Sequence, residues 1–217
     1  FYNGRTRVIS FAKAFHGRTS LAVEVTNNPK IIAPINDNGH VTYLPLNNTE
    51  ALKAELAKGD VCAVIIEGIQ GVGGIQLPTT EFMKAIRQAC DETNTVMILD
   101  EIQCGMGRSG YYFAWQAYGV QPDIMTCAKA LGCGVPVGAF FLTQRVADKS
   151  LAPGDHGTTY GGNPFVGAAV SAVFDQFKAC DILGHVKEVA PYLEQKLDEL
   201  VEKYDFLVTV SYTHLRA

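Results

Sequence analysis

The octapeptide Val96-Met97-Ile98-Leu99-Asp100-Glu101-Ile102-Gln103 decides how this chain is read. Four apolar residues in a row that end on two carboxylates have the pattern of a strand buried on both faces, with its last residues emerging at the end of a sheet. The next such run, Asp123-Ile124-Met125-Thr126-Cys127-Ala128, closes on Lys129. A carboxylate and an amine are thereby expected at the ends of neighbouring strands.

Working outward, β-rich runs at residues 8–11, 61–66, 96–99, 124–127 and 137–142 alternate with helical periods. Phe82, Ala85, Ile86 and Ala89 recur at the spacing of one helix face, with Thr79 or Thr80 available as N-cap. Strands that are apolar throughout, separated by helices, predict an α/β fold: a mainly parallel sheet with helices on both faces. In such sheets ligands bind outside the carboxyl ends of the strands, where Glu67, Asp100 and Lys129 all fall.

Beyond residue 142 a polar, glycine-rich loop runs from Gly154 to Pro164. A helix follows with Val166, Ala169, Val170, Val173, Phe174 and Phe177 on one side. A second amphipathic helix is expected over about residues 185–204, with Val186, Val189, Leu193, Leu197 and Leu200 in its stripe. No internal repeat, low-complexity tract or Pro/Ser linker interrupts the pattern.

The 217 residues are 47% hydrophobic and 18% charged, enough for one sizeable core. A formal net charge of −4 without a basic block gives no electrostatic footprint for nucleic acid or an anionic membrane. The six cysteines are scattered with no C-x-x-C pair, which suits a reduced, cytoplasmic setting. The five histidines, His16 among them, show no zinc-site spacing, so no metal is expected. No run reaches the roughly 18 to 20 apolar residues of a membrane helix.

Pyridoxal 5'-phosphate is the cofactor that asks for a carboxylate and an amine held this way. Its ring works as an electron sink when the ring nitrogen stays protonated and the aldehyde is held by an amine, so the protein supplies an anion at one end and a lysine at the other. Asp100 is the candidate anion and Lys129 the candidate amine. Taken singly, each has an ordinary reading, as a solvated strand end or a surface lysine. A sharper rival is the magnesium-binding strand of a P-loop NTPase. That reading needs G-x-x-x-x-G-K-[ST], and the chain has no Gly-Lys pair. Gly71-Val72-Gly73-Gly74 and the glycines from Gly132 to Gly138 are not dinucleotide loops either, since neither shows G-x-G-x-x-G opening a helix.

Several motifs, taken together, resemble the class III, fold type I aminotransferases, and within them the acetylornithine/succinylornithine group. These are Phe15-His16-Gly17-Arg18-Thr19, Glu67-Gly68-Ile69-Gln70-Gly71, Leu99 to Gly105, Gly107-Arg108-Ser109-Gly110, Ala128-Lys129-Ala130-Leu131-Gly132 and His156 to Pro164. The resemblance implies that Lys129 holds pyridoxal phosphate and carries the proton between substrate Cα and cofactor. It implies that Asp100 pairs with the pyridinium nitrogen, Ile102 presses on one ring face, Phe15 stacks on the other and Gln103 bonds the ring hydroxyl oxygen. Glu101 belongs to the same cofactor-binding block. Arg18 is implied to grip the substrate carboxylate as a bidentate fork, with Glu67 as an acid near Arg18 and Gln103. Thr159 would reach the cofactor phosphate and Thr158 the substrate, both across a homodimer interface.

The implied function is transamination between an N2-acylornithine and 2-oxoglutarate in arginine biosynthesis. Ornithine or 4-aminobutyrate aminotransferase is the alternative within the family, and a non-catalytic large-domain-like binding module the alternative outside it. One departure bears on substrate: the family's Glu-Pro-x-Gln-Gly-Glu stands here as Glu67-Gly68-Ile69-Gln70-Gly71-Val72, without the second acid. The organisation expected is a cofactor-binding large domain over residues 1–180, shortened at its N-terminus. A helix over 181–210 would lead towards a missing C-terminal small domain, with a non-native tail at 211–217. As a fragment it is expected to be inactive alone.

Overall fold

A computed structural model describes residues 2–206, so the tail expected at 211–217 lies outside the described residues. Six strands form one sheet: β1 (Arg7–Phe11), β2 (Val41–Leu44), β3 (Val61–Glu67), β4 (Val96–Asp100), β5 (Ile124–Cys127) and β6 (Ala139–Leu142), in spatial order β2-β1-β3-β4-β5-β6. All neighbouring pairs are parallel except β5 with β6, which is antiparallel. The α/β fold read from the sequence is the fold observed. Two expected strands run one residue further, and the added residues are Glu67 and Asp100 themselves.

β2 was not legible in the sequence. It is a four-residue edge strand with three half-buried positions, too short to show a period. Arg7 clamps it to β1: its guanidinium lies 2.8 Å from Thr42 Oγ1, 2.6 Å from Glu55 and 2.6 Å from Asp60. At the other edge, Val137 precedes β6, which begins at Ala139.

The helices are α1 (Ser20–Glu24), α2 (Thr49–Leu56), α3 (Thr80–Glu92), α4 (Ala114–Tyr118), α5 (Gln144–Ser150), α6 (Pro164–Ala179) and α7 (Ile182–Lys203). Thr79 caps α3, its hydroxyl accepting the Phe82 N–H at 3.1 Å. The buried seam of α3 is Phe82, Met83, Ile86, Ala89 and Cys90, so the helix is turned slightly from the expected face and Ala85 is only half-buried. Phe82 meets Phe11 edge-on at 5.5 Å in a core that also holds Ile9, Leu52, Val64, Ile66 and Leu99. A second cluster joins Met106, Cys127 and Leu131 to Phe177 of α6, with Tyr112 stacked on Phe177 at 5.6 Å.

Asp181, in the left-handed region at φ 44°, separates α6 from α7 and accepts the Gly184 N–H. No residue of α7 is buried, and Val189, Leu193 and Leu200 of its stripe are exposed. Among the described residues no helix is long and apolar enough to cross a membrane.

The sheet's order reverses between β1 and β3, because the chain steps outward from β1 to β2 and then returns to the other side. A crevice forms at such a point, outside the carboxyl ends of the strands. Phe15 and His16 follow β1 there, and Glu67 and Asp100 end the next two strands.

Candidate active site

Register places the acids. Glu67 pairs with Asp100 in the β3/β4 ladder, and Asp100 pairs with Thr126 in the β4/β5 ladder. Lys129 comes three residues after Thr126, past the end of β5. Its φ of 50° is left-handed, unusual for a residue with a Cβ, and it opens a tight turn that closes with Gly132 N–H on Lys129 O at 3.2 Å. Strain of this kind concentrates at functional positions.

Lys129 lines a cleft of about 350 Å³ together with Ile69, Gly71, Ile102, Gln103 and Arg108. Gly71 is needed for that shape: a Cβ there would stand 2.3 Å from Gln103 Nε2, so the glycine leaves the amide its place.

Asp100 is 6% exposed. His16 Nδ1 lies 2.8 Å from its Oδ2, while Oδ1 accepts from Ile102 N at 3.0 Å and more weakly from Thr126 Oγ1 at 3.4 Å. Three segments thus fix one carboxylate. His16 was not singled out by sequence reasoning, which considered it only as a possible zinc ligand. Its one signal is its place in Phe15-His16-Gly17-Arg18.

Glu67 is 3% exposed and accepts the Phe15 N–H at 3.0 Å, and among the described residues no hydrogen bond joins it to Arg18 or Gln103. Burial pushes its carboxyl up to about 7; the Phe15 N–H and the fields of His16 and Lys129 pull the other way, and Asp100 adds to the rise.

Glu101 is fully buried, and its carboxylate accepts Ala114 N and Trp115 N, each at 2.9 Å, and the Cys104 thiol at 3.3 Å. Burial raises Glu101 against those two N–H groups, and burial likewise keeps Cys104 as a thiol donor. The side chain anchors α4 to the turn after β4.

Phe15 is half-buried beside the crevice, and Arg18 is exposed with no ion pair among the described residues. Thr158 and Thr159 are exposed on the loop before α6, where Thr158 Oγ1 accepts the Gly161 N–H at 3.2 Å. The structure therefore gathers Asp100, Glu67, Phe15, Ile102, Gln103 and Lys129 at one end of the sheet. It leaves Arg18, Thr158 and Thr159 on its surface.

The donor set fits pyridoxal phosphate: a buried carboxylate with fixed donors, an amine at the rim of a cleft of ring-bearing size, and an amide held by the missing Cβ of Gly71.

The class-III aminotransferase profile matches residues 2–212, and this chain belongs to that family. Class-III aminotransferases depend on pyridoxal phosphate. The acetylornithine aminotransferase of Methanocaldococcus jannaschii is 44% identical over 206 residues, covering 94% of this chain and 51% of the relative. That of Neisseria meningitidis serogroup B is 41% identical over the same shares. The chain spans about half the length of the curated relatives it matches. Among solved structures, an S-selective transaminase from Arthrobacter superposes with TM-score 0.84 at 28% identity, covering 94% of this chain and 51% of that one. The ornithine aminotransferase of Toxoplasma gondii gives 0.81 at 28% identity, over 87% of this chain and 45% of the other.

Proposed function

We propose that the protein carrying this chain is a pyridoxal phosphate-dependent aminotransferase that moves an amino group between an N2-acylornithine and 2-oxoglutarate, as a cytoplasmic homodimer serving arginine biosynthesis. The observation that carries the reading is the pairing of buried, triply bonded Asp100 with strained Lys129 at adjacent strand ends, beside a cleft shaped by Gly71 and Gln103. Identity of 40–44% to acetylornithine aminotransferases supports the choice of substrate.

Bound pyridoxal phosphate supplies a ring that withdraws electrons from the substrate Cα. Asp100 would hold positive charge on the ring nitrogen, Ile102 and Phe15 would confine the ring, and Gln103 would donate its amide to the ring oxygen. Lys129 would anchor the cofactor and hold and return the proton at the substrate Cα, acting as base when neutral and as acid when protonated. Arg18 orients the substrate by its carboxylate. Thr158 and Thr159 serve the partner's site; their exposure, and that of Tyr160 and Phe165 beside them, supports a shared interface.

Ornithine as substrate is the second reading. It draws on the likeness to the Toxoplasma gondii enzyme and on Val72, 63% exposed, where the family motif has an acid. Half-reactions with N-acetylornithine, N-succinylornithine, ornithine and 4-aminobutyrate separate the two. Faster cofactor amination by an acylated substrate supports the proposal, and negligible rates with both acylated substrates overturn it.

A further inference from the structure

The arginines divide into two kinds. At the amino ends of the strands, Arg5 donates to Val61 O at 3.1 Å and Thr93 O at 2.8 Å, and Arg7 is held by Glu55 and Asp60. Arg87 and Arg145 both grip Asp123, the residue before β5. Arg18 and Arg108 are the other arginines among the described residues, where their side chains make no hydrogen bond or ion pair. Both follow strands at the opposite end of the sheet, Arg18 after β1 and Arg108 after β4. A guanidinium that ties nothing together inside the fold is free to meet a ligand. Arg18 has that part in the proposed reaction, and Arg108 has none.

The backbone presents Arg108 outward from a buried turn. Cys104, Gly105, Met106 and Gly107 are buried and Arg108 is exposed. Met106 and Gly107 are both left-handed, at φ 56° and 87°, and for Met106 that conformation is strained. A Cβ on Gly107 would stand 2.7 Å from Phe177 Cε1, so the turn lies tight against α6. It closes with Gly110 N donating to Gly107 O at 3.0 Å. Arg108 thereby stands in the lining of the cleft that Lys129 lines, and that lining contains no carboxylate. Lys187 Nζ lies over the Tyr111 ring at 4.7 Å, three residues along the same loop, and adds a further cation. In a chain of formal net charge −4, this rim is locally positive. Charge of one sign gathered at a cleft raises the capture rate of ligands of the other sign.

We propose that Arg108 is a substrate-recruiting residue: an unpaired positive charge at the mouth of the cofactor cleft that draws in carboxylates, above all a dicarboxylic 2-oxo acid, before Arg18 orients them. The preference follows from net charge at neutral pH. 2-Oxoglutarate is a dianion and N-succinylornithine a net monoanion, whereas N-acetylornithine has no net charge and ornithine is a net cation.

The inference rests on the aminotransferase reading, and the experiment keeps the two apart. In the protein carrying this chain, second-order rate constants of the half-reactions with those four compounds are measured for wild type, Arg108→Gln and Arg108→Lys, at about 0.01 M and about 0.5 M salt. Pyridoxal phosphate affinity and thermal unfolding are followed in each. At low salt Arg108→Gln is expected to lose about three- to tenfold with 2-oxoglutarate, less with N-succinylornithine and nothing with N-acetylornithine, and to gain with ornithine wherever it reacts. High salt should bring the two proteins together, as the screening length falls from about 30 Å to a few Å. Arg108→Lys keeps the charge and should keep the rates, with cofactor affinity as in wild type throughout. Losses that are equal across the four compounds, that ignore salt, that Arg108→Lys shares or that follow a fall in cofactor affinity overturn the proposal, since each marks a role other than attraction by charge. Arg108→Gln rates equal to wild type with every compound also overturn it. A wild type without a half-reaction for any of these compounds defeats the aminotransferase reading and this proposal with it, whereas a reactive wild type whose Arg108→Gln rates are blind to substrate charge defeats this proposal alone.

Discussion

Glu67 and Asp100 are register partners at the last step of the β3/β4 ladder, two carboxylates side by side on parallel strands. They are solvated very differently by the protein. Asp100 receives donors from His16, Ile102 and Thr126, while Glu67 receives the Phe15 N–H. Neighbouring carboxylates with unequal surroundings are pushed towards unequal roles, and Asp100 is the one with the larger set of donors.

Glu67 should leave a signature in stability. Its folded value of about 7 lies above the ordinary 4.5, so the folded state keeps a proton that the unfolded chain releases. Stability from this group is complete below about pH 4.5 and is lost as pH rises through about 7, a change of up to roughly 3 kcal/mol. Denaturant unfolding of the apo-protein across that window reads it. Glu67→Gln keeps an acceptor for Phe15 N–H and should flatten the slope; an undiminished slope assigns it to another group.

Glu101→Ala removes the acceptor of two backbone N–H groups and a thiol in a fully buried site. A stability loss of about 3–5 kcal/mol is expected. Glu101→Gln retains one carbonyl acceptor and should lose less. Calorimetry that finds both variants within about 0.5 kcal/mol of wild type would remove the anchoring role.

Gly71→Ala tests the cleft. The added Cβ collides with the tip of the flexible Gln103 side chain, which can swing aside, so the fold should survive with a change of about 1 kcal/mol or less. Cofactor affinity should fall as far as it does in Gln103→Ala, with no further loss in the double variant. Additive losses would separate the two residues.

Arg18→Lys tests substrate grip. A point charge replaces a planar fork, so KM for the amino donor should rise about ten- to a hundredfold while cofactor affinity holds. An unchanged KM places the substrate carboxylate elsewhere.

Sequence pattern carried the strands that matter because parallel strands buried on both faces read as unbroken apolar runs, and residues 61–66, 96–99 and 124–127 are such runs. Asp100 and Lys129 were legible for the same reason: each follows a run that announces where the sheet ends. His16 was hidden because its partner lies 84 residues away and a buried histidine has no periodic signature. The contacts of Glu101 were hidden because its partners, Ala114 and Trp115, open a helix of five residues, too short to register in a periodicity. The stripe on α7 was legible as a pattern, but a stripe does not say what covers it, and here Val189, Leu193 and Leu200 stand exposed.

Borohydride trapping tests most directly whether Lys129 is the residue that holds the cofactor. Load the protein with pyridoxal phosphate, reduce it with borohydride, digest it and locate the pyridoxyl group by mass spectrometry. A single modified peptide containing Ala128-Lys129-Ala130 is expected, absent in Lys129→Ala. A pyridoxyl group on any other lysine, or on none, contradicts it.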